Sequence, residues 1–553
     1  MKHPFLFSKL TAILLTCALC SNGLSHPFHT AKAADSSELP ELPARFDLRD
    51  ENVMTSVKRQ YHGTCVIFAC FAAIESNLIK QGMADTSIDL AEQHYSWFTY
   101  GKGSPDDPLD LLTGDRENLG LDGYDHAASF WSLTSVLAAW TGPTLASSIP
   151  DCEEFVPIDE SFRYDSIAHL QNAHLFDITD TDDIKRNIME NGGMHLGYVT
   201  VSKPNRYSQY GAYYHTGDEE GGGGHAVCLC GWDDNFPKEK FLETPPGDGA
   251  WICKNSWGPN TTAGVDGYTY ISYYDASVSN PVQFYMEPSD NYDGIYQRCG
   301  ACNSAYTTSN RGWEYANIYT AAKDDNLTAV SIMTHEADLP YEITIYALKD
   351  GYQDPKDGEI IAKISGTEHY AGYHTYPLHT ACQVTKGQTF SAVVKTGIHP
   401  ATTIFFDRNP DNSATSFYRT YDEKGESSWK DSTALETHGN VFVKVFTKDG
   451  TAINEQNYPD ALYRQAVSEV YDTNEDFVIT EQEKDAAENY LHGDVNCDGK
   501  VNAVDLAQLK QALLGNASAD ICLLAGDWND DQALNAEDVN GMLEFLLTGT
   551  TKK

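Results

Sequence analysis

The sequence predicts a multidomain protein with an α+β domain, an all-β sandwich and a small all-α domain, in that order. Three observations support this prediction. Helix-like and strand-like stretches are mixed between residues 42 and 285, strand-like stretches dominate residues 295–449, and helical patterns follow from residue 457 onward. A chain of 553 residues is long enough for several domains, each with its own hydrophobic core.

The composition is that of a globular protein with many acidic groups. Hydrophobic residues make up 41% of the chain, aromatic residues 11%, and the formal net charge is −42. Nucleic acids and anionic membrane surfaces attract basic patches, so we expect neither of them as a partner. Acid-rich loops bind hard cations such as calcium, and the later part of the chain contains loops of that kind.

The first 33 residues are predicted to be a secretory signal peptide. Lys2 and Lys9 flank a short apolar stretch, Leu10 to Leu19, and small residues follow around Ala33. The apolar stretch is too short to cross a membrane comfortably. We therefore expect a secreted, soluble protein in which residues 34–41 form a linker to the first domain.

The chain has thirteen cysteines, two of which lie in the predicted signal peptide. The remaining odd number in an exported protein leaves at least one thiol free or paired with another molecule. Cys299 and Cys302 form a lone CxxC motif. Without a second pair, a local disulfide or two free thiols is a better interpretation than a zinc site.

Cys65 begins the stretch CVIFACFAAIESNLIKQG, which predicts a buried helix that ends at Gly82. Free cysteine is among the most buried residue types, so a small buried side chain is the simplest interpretation. The N-terminal end of a helix also favours a thiolate, however. Nucleophilic catalysis by a thiol further needs a base and a group that orients the base.

His225 and Asn255 are candidates for the base and for the group that orients it. His225 starts a predicted strand, HAVCLCGW, and Asn255 follows a second one within GAWICKNSW. A third predicted strand, GYTYISYYD, comes next, and a helix is predicted earlier at Ala128–Trp140. Each residue alone could be a packing or turn residue, so the candidates depend on their combination.

The order Cys, His, Asn and its spacing resemble the papain-like cysteine proteases, over residues 42–285. The matching blocks are LPARFDLRD, the segment around Cys65, LAEQHYSW, GLDGYDHAASFW, WTGP, GHAVCLCGWDDNFP and GDGAWICKNSWGPNTTAGVDGYTYISYYD. The resemblance implies a papain-like α+β fold and peptide-bond hydrolysis without a catalytic cofactor. Another thiol hydrolase, such as a peptidoglycan endopeptidase, is disfavoured because such enzymes typically lack the KNSWG segment.

The resemblance also implies a role for each residue of the site. Cys65 would be the nucleophile, His225 would form an ion pair with it and later protonate the leaving amine, and Asn255 would orient the imidazole. Trp257 would shield that hydrogen bond from water. Gln60 would help the backbone N–H of Cys65 to stabilise the oxyanion.

The nucleophile segment departs from the family pattern in three ways. Gln60 lies five residues before Cys65 instead of six, Val66 replaces the usual tryptophan, and the usual cysteine of the intervening loop is absent. A catalytically silent binding domain with the same fold is therefore the alternative. The stretch NRYSQYGAYYHTGDEEGGGG before His225 is either a flap or an ordinary long loop.

Residues 295–449 are predicted to form an all-β sandwich, from YEITIYALK, KGQTFSAVVK, NVFVKVFTK and similar stretches. This region resembles the lectin-like domain that follows the protease in some bacterial members of the family. The resemblance implies carbohydrate as a ligand, and a structural spacer is the alternative. The sequence alone identifies no ligand residues there.

Two loops near the C-terminus share one pattern, DVNCDGKVNAVD (residues 494–505) and DWNDDQALNAED (residues 527–538), whose starts lie 33 residues apart. Oxygen-bearing side chains recur at positions 1, 3, 5, 9 and 12, and a carbonyl at position 7 completes the spacing of a calcium-binding loop. The predicted Ca²⁺ ligands are Asp494, Asn496, Asp498, Lys500, Asn502 and Asp505 in the first loop, and Asp527, Asn529, Asp531, Ala533, Asn535 and Asp538 in the second.

Each loop leads into one predicted helix, and a duplicated loop–helix unit at residues 491–550 resembles a type I dockerin domain. The resemblance implies structural calcium and a cohesin module of a scaffoldin as partner, within a cellulosome-type complex. It places the cohesin contacts at loop positions 10 and 11, which are Ala503, Val504, Ala536 and Glu537.

A third loop, DTNEDFVITEQE (residues 472–483), lies in a helical segment at residues 457–490. Phe477 occupies the usual glycine position, where a positive φ is costly for a bulky residue. A third calcium site and an ordinary acidic loop are equally compatible with this pattern. Its candidate ligands are Asp472, Asn474, Asp476, Thr480 and Glu483.

Overall fold

A computed structural model describes residues 42–100, 129–149, 158–201, 206–217, 222–261, 263–300, 302, 304–407, 413–422, 424–434, 439–448, 493–496, 500–513, 523–526, 528 and 534–548. The chain divides into two compact units, Met1–Ser289 and Asp290–Lys553. Among the described residues, no helix has both the length and the apolar character needed to span a membrane. The predicted signal peptide, the linker and the third acidic loop lie outside the described residues.

Where the structure describes it, the first unit combines four α-helices with a sheet. The helices are α1 (Cys65–Lys80), α2 (Glu92–Tyr100), α3 (Phe130–Leu137) and α4 (Thr181–Asn191). The predicted helix at Ala128–Trp140 is real but shorter, because the side chain of Ser129 caps its first turn by accepting the N–H of Ser132. α1 is the central helix, and twelve consecutive residues of it, from Ile67 to Leu78, are buried.

The sheet of the first unit is mostly antiparallel. Its strands are β1 (Arg45–Asp47), β2 (Ala168–Leu175), β3 (Met194–Val201), β4 (Ala212–Tyr213), β5 (Gly222–Asp233), β6 (Ala250–Lys254), β7 (Tyr268–Ser272) and β8 (Val282–Pro288). They follow the order β4-β7-β6-β5-β3-β8-β2, and β1 adds to β5. β5 accommodates β1 through Gly231, where an added Cβ would lie 2.3 Å from the carbonyl oxygen of Phe46.

A buried ion cluster holds the chain segment that precedes α1. The Nζ atom of Lys58 lies 2.8 Å from carboxylate oxygens of Glu75 and Glu92 and 2.7 Å from Asp89. It also donates to the carbonyl oxygen of Leu90, at 2.9 Å. Although burial lowers the pKa of Lys58, the charges of Glu92 and Glu75 raise it above its ordinary value. The ammonium group therefore stays charged and ties this segment to α1 and to the start of α2.

The second unit contains an all-β domain, as predicted. Its strands are β9 (Gly294–Tyr296), β10 (Ser304–Thr308), β11 (Gly312–Thr320), β12 (Asp325–Thr334), β13 (Leu339–Leu348), β14 (Gly358–Glu368), β15 (Ala371–Val384), β16 (Thr389–Thr396), β17 (Thr402–Phe406), β18 (Ser416–Asp422), β19 (Gly425–Glu426), β20 (Lys430–Asp431) and β21 (Val443–Thr447).

One sheet of this domain has the order β14-β13-β16-β11-β18-β19, with β20 paired to β18, and another set of strands follows the order β15-β12-β21-β9. β10 and β17 form a separate antiparallel pair. Apolar side chains from these strands share one core, which includes Trp313, Leu327, Ile343, Phe390 and Val443. Several of these strands, including β11, β16, β17 and β21, are buried along most of their length on both faces.

The C-terminal part of the second unit is helical, with α5 (Ala503–Leu513) and α6 (Ala536–Thr548). Val495, Leu509, Leu534 and Met542 are fully buried in one small core. Each helix follows one of the two acidic loops, as the duplicated pattern predicts.

Candidate active site

Cys65 is the first residue of α1, as expected for a nucleophile that uses a helix N-terminus. Thr64 precedes it and makes no side-chain cap, so the N–H groups of the first turn are not capped by that residue. Burial raises the pKa of the Cys65 thiol, while hydrogen bonds from the backbone N–H groups of Ala226, Val66 and Cys65 itself lower it. α1 packs against β5, the strand that contains His225.

His225 and Asn255 form a direct hydrogen bond. The distance between Nε2 of His225 and Oδ1 of Asn255 is 3.0 Å, and the two residues are only 7% and 4% exposed. His225 lies in β5, and Asn255 follows the last residue of the neighbouring strand β6. Because Nε2 is bonded to Asn255, the other ring nitrogen, Nδ1, is left for the thiol.

Burial is the largest influence on the pKa of His225. It lowers the pKa of the imidazole to about 4, the hydrogen bond with Asn255 opposes that shift, and the charge of Arg206 adds to it. The neutral forms of Cys65 and His225 are therefore favoured before substrate binds. Transfer of the thiol proton to His225 creates two opposite charges whose attraction offsets part of the cost of burial.

Trp257 covers the imidazole. Its ring centroid lies 4.3 Å from that of His225, with the ring planes 20° apart. Tyr207 approaches Trp257 edge-on, with ring centroids 6.1 Å apart. The sequence anticipated Trp257 in this position but not Tyr207.

Asn255 is itself held by groups that sequence reasoning missed. Its Nδ2 donates to Oγ1 of Thr269 at 3.3 Å, and that hydroxyl donates to the carbonyl oxygen of Ala263 at 2.9 Å. The backbone N–H of Ser256 donates to Oδ1 of Asn255 at 2.8 Å. Thr269 lies on β7 and becomes a neighbour only through the pairing of β6 with β7, for which a single sequence carries no signal.

Gln60 is fixed by three hydrogen bonds. Its backbone N–H donates to the carbonyl oxygen of Ser256 at 2.7 Å, and its Oε1 accepts the hydroxyl of Ser256 at 2.5 Å. Its Nε2 donates to the carbonyl oxygen of His62 at 2.7 Å. One N–H of the amide thus points at the shortened loop, and the other remains for the predicted oxyanion contact, which stays a prediction.

The segment before His225 is packed where the structure describes it. The hydroxyl of Tyr213 donates to the carbonyl oxygen of Val199 at 2.6 Å, and the hydroxyls of Tyr207 and Tyr198 are 2.7 Å apart. These bonds anchor residues 206–217 to β3. Residues 202–205 and 218–221 of the predicted flap or loop lie outside the described residues.

The last carboxylate of each acidic loop is fully buried. Asp505 accepts the backbone N–H groups of Asn496 and Asn502, at 3.0 and 2.8 Å. Asp538 accepts those of Trp528 and Asn535, both at 2.8 Å. Each of these carboxylates therefore ties the beginning of its loop to the end.

This arrangement fits a divalent cation. Buried carboxylates need a compensating charge, and Asp505 forms no ion pair with any basic side chain that the structure describes. Asp494 is also buried, at 5% exposure. Five predicted ligands lie outside the described residues, namely Asp498, Asp527, Asn529, Asp531 and Ala533.

The residues predicted to contact cohesin lie at the starts of α5 and α6. Ala503 and Ala536 are exposed, and Val504 is 52% exposed. Leu547, near the end of α6, is 77% exposed. These apolar side chains lie on the surface, where a partner protein can bury them.

Cys299 and Cys302 of the CxxC motif in the second unit are both buried, and no disulfide joins them. Burial raises the pKa of Cys299, but a hydrogen bond from Cys302 and the charge of Lys444 lower it overall to about 7. Of the two interpretations left by the sequence, the structure has the thiols and not the disulfide.

Three family models match the chain. The papain family cysteine protease model matches residues 148–288, which include His225 and Asn255, the lectin-like domain model matches residues 295–447, and the dockerin type I domain model matches residues 492–547.

Similar proteins include cysteine proteases of eukaryotes. A cathepsin B-like protein, CP1 of Giardia intestinalis, is 25% identical over 244 residues, which are 42% of this chain and 68% of that protein. Cathepsin O of Homo sapiens is 24% identical over 251 residues, 44% of this chain and 66% of that protein. The matches thus cover about two thirds of these relatives.

Similarity to solved structures extends over the first two domains. The cysteine protease and lectin-like domains of Cwp84, a surface layer associated protein of Clostridium difficile, match with a TM-score of 0.59 and 20% identity, over 81% of this chain and 98% of that one. Clostridial Cwp84 after propeptide cleavage matches with a TM-score of 0.58 and 21% identity, over 73% and 99%. These likenesses show a shared fold. The family models thus show a papain family cysteine protease domain followed by a lectin-like domain and a dockerin type I domain, and the similar cathepsin B-like protein supports a cysteine peptidase, a hydrolase.

Proposed function

We propose that this protein is a secreted cysteine endopeptidase that hydrolyses peptide bonds through Cys65, His225 and Asn255. The observation that carries the proposal is the 3.0 Å bond between His225 and Asn255, because His225 lies on β5, the strand against which α1 packs with Cys65 as its first residue. Nucleophile, base and orienting amide thus come together from α1, β5 and the end of β6. This is the arrangement that nucleophilic thiol catalysis requires.

The reaction follows from these positions. His225 takes the thiol proton of Cys65 at Nδ1 while Asn255 holds Nε2, and the sulfur attacks the scissile carbonyl carbon. The backbone N–H of Cys65 stabilises the oxyanion, with the free amide N–H of Gln60 as the second donor. The C–N bond breaks as His225 gives its proton to the leaving amine. Water then hydrolyses the thioester, with His225 as its base, and the thiol re-forms.

The first test combines covalent labelling with turnover. Reduced protein is treated with an epoxide affinity label for cysteine proteases and with a mixed fluorogenic peptide library. We expect one label per chain and peptide turnover, both lost in Cys65→Ala and both kept in Cys70→Ala, which removes a buried thiol of the same helix. Folded protein that neither labels nor cleaves would instead be a silent binding protein on the same fold.

We further propose that the dockerin binds a cohesin module through calcium-loaded loops and so attaches the enzyme to a cellulosome-type complex outside the cell. The buried Asp505 and Asp538 and the exposed Val504 support this. Calcium would be held by the loop oxygens and would fix the loops against α5 and α6. Titration of cohesin modules with Ca²⁺ and with a chelator tests the proposal, and equal binding in both conditions would contradict it.

A groove in the lectin-like domain favours a carbohydrate ligand over a spacer role. Its volume is about 330 Å³, and the lining includes Tyr306, Trp313, Tyr418, Arg419 and Lys430. Aromatic faces stack on sugar rings, and Tyr306, which is 39% exposed, can offer such a face, whereas Trp313 and Tyr418 are mostly buried beneath it. Neighbouring hydroxyl and cationic groups can bind sugar oxygens. Titration with oligosaccharides tests this, with Tyr306→Ala expected to weaken binding. Absence of binding to every glycan tested would leave the spacer role.

A further inference from the structure

We propose that the leaving-group side of the active-site cleft selects a carboxylate of the substrate, through two arginines, Arg206 and Arg59, that flank Trp257. The inference rests on the proposed peptidase function and adds the class of peptide that the enzyme prefers. The preferred substrates are peptides that carry a carboxylate just after the scissile bond.

The position of Trp257 follows from the course of the reaction. The acyl half of the substrate stays on the sulfur of Cys65, and the leaving amine receives its proton from His225. The substrate residues beyond the scissile bond therefore pass His225 and meet the ring stacked on it, which is Trp257 at a centroid distance of 4.3 Å. Groups beside Trp257 contact the leaving half of the peptide.

The guanidinium group of Arg206 lies over the rings of Trp257 and Tyr207. Its Cζ lies 5.4 Å from the centroid of Trp257 and 5.6 Å from that of Tyr207, and its Nη1 donates to the carbonyl oxygen of Val201 at 3.2 Å. Its Nε is buried and has no hydrogen-bond partner. No carboxylate within the described ranges forms an ion pair with it. The guanidinium is thus positioned but not neutralised.

Arg59 lies next to Trp257, on the chain segment that precedes α1. The backbones of the two residues form an antiparallel bridge, so Arg59 is fixed next to Trp257. Its side chain is exposed, and its Cζ lies 5.4 Å from the ring of Tyr61, which is 68% exposed. As far as the chain is described, no carboxylate pairs with Arg59 either.

The charge of the whole chain makes this pair of arginines significant. With 80 acidic and 38 basic residues, the protein as a whole repels an acidic peptide. The two guanidinium groups beside Trp257, neither of them paired with a carboxylate in the described part of the chain, supply positive charge against that field. Guanidinium groups bind carboxylates by paired hydrogen bonds, which gives selectivity for Asp or Glu over Gln or Lys.

The carboxylate has two sources, an acidic side chain or the C-terminal carboxylate of a short peptide. The test therefore uses fluorogenic peptides with one acyl half and with Glu, Gln or Lys at the first two positions after the scissile bond, all amidated. A further Gln peptide has a free C-terminus. The enzymes are the wild type, Arg206→Gln, Arg59→Gln and Lys80→Gln. Lys80→Gln is a control that removes one positive charge about 22 Å along α1 from Cys65.

We expect the wild type to cleave the Glu peptide at least fivefold better than the Gln peptide, as kcat/KM. Each arginine variant should lose most of that ratio, which compares two peptides on the same enzyme, and Lys80→Gln should keep it. If the wild type prefers only the Gln peptide with the free C-terminus, the arginines bind the terminal carboxylate of the substrate and not an acidic side chain.

Two outcomes would overturn the inference separately. If the wild type cleaves the Glu, Gln and Lys peptides alike, the preference is refuted while the peptidase function stands. If no peptide is cleaved and Cys65 takes no label, the peptidase function fails first and this inference fails with it.

Discussion

The indole of Trp257 stacks on the imidazole of His225, and the same imidazole is bonded to Asn255 through its Nε2. The stacked ring keeps water from that hydrogen bond. A hydrogen bond in surroundings of low dielectric constant is stronger than one exposed to water, so the imidazole keeps its orientation. Trp257 therefore positions His225 without reacting itself.

Replacement of Trp257 by alanine tests this positioning. We expect Trp257→Ala to lower kcat/KM by about 10- to 100-fold, because exposure of one hydrogen bond to water costs about 1–3 kcal/mol. Trp257→Phe keeps an aromatic face, so it should raise the activation free energy by less than half as much as Trp257→Ala does. Kinetics with the uncharged Gln peptide measure both variants, and equal losses would show that stacking is not the cause.

The hydroxyl of Thr269 holds the amide of Asn255, at a distance of 3.3 Å. Thr269→Val keeps the shape but removes the hydroxyl, so we expect kcat to fall about 3- to 10-fold, the cost of one hydrogen bond, with little change in KM. Thr269→Ser keeps the hydroxyl and should stay close to the wild type. A loss of thermal stability without any loss of kcat would contradict a positioning role.

The acidic limb of the pH profile should lie unusually low. The active dyad holds one proton, and a second proton binds as the pH falls through the pKa of His225, which burial lowers to about 4. Burial also raises the pKa of the Cys65 thiol, so the alkaline limb lies above the ordinary thiol value. We expect kcat/KM to be flat between about pH 5 and 8. An acidic limb near 6.5 would contradict this prediction.

His195 should make the peptidase domain less stable in acid. It lies in β3, neither ring nitrogen has a hydrogen-bond partner, and burial lowers its pKa to about 4. In the unfolded chain its pKa is about 6.5, so the unfolded state binds the extra proton between these values and stability falls as the pH drops, by about 1.4 kcal/mol per unit.

We therefore expect His195→Leu to raise the free energy of unfolding more at pH 5 than at pH 8. Urea unfolding of the full chain, followed by tryptophan fluorescence, measures both values. The same change in free energy at the two pH values would contradict the assignment.

Calcium binding should depend on Asp505 and Asp538 separately. We expect Asp505→Asn and Asp538→Asn each to remove one calcium site from the stoichiometry measured by titration calorimetry, because each substitution removes a carboxylate charge from its own loop. Asp350→Asn removes a charge from an exposed turn and should change nothing. An unchanged stoichiometry in both loop variants would contradict the predicted sites.

The sequence was informative where a residue type and a local motif coincide. Cys65 at a helix start, His225 at a strand start and Asn255 in a KNSW segment all carry local signals, and a hydrogen bond joins His225 to Asn255 in the structure. Thr269, Tyr207 and the two arginines beside Trp257 carry none. They join the site through strand pairing and loop packing, which bring together residues that are distant in sequence.

The ends of helices are also difficult to predict from the sequence alone. The predicted helix at Ala128–Trp140 has a recognisable apolar stretch, but its start depends on the hydroxyl of Ser129, and its last residues form a turn. The shortened loop before Cys65 is visible in the sequence. The effect of this shortened loop on Gln60 cannot be seen in the sequence, because it depends on contacts with the carbonyl group of His62 and with Ser256.

The four residues Tyr61 to Thr64 connect two fixed points. On one side, Lys58 is held by its ion cluster and Gln60 by Ser256; on the other, Cys65 begins a helix that is buried from Ile67 onward. A residue added to or removed from this connection changes its path but leaves both ends in place. The position of the nucleophile can therefore stay fixed while the length of the loop varies. An engineered insertion after Tyr61 offers a route to reshape the cleft around Cys65, and it would change the contact between the Gln60 amide and the carbonyl group of His62.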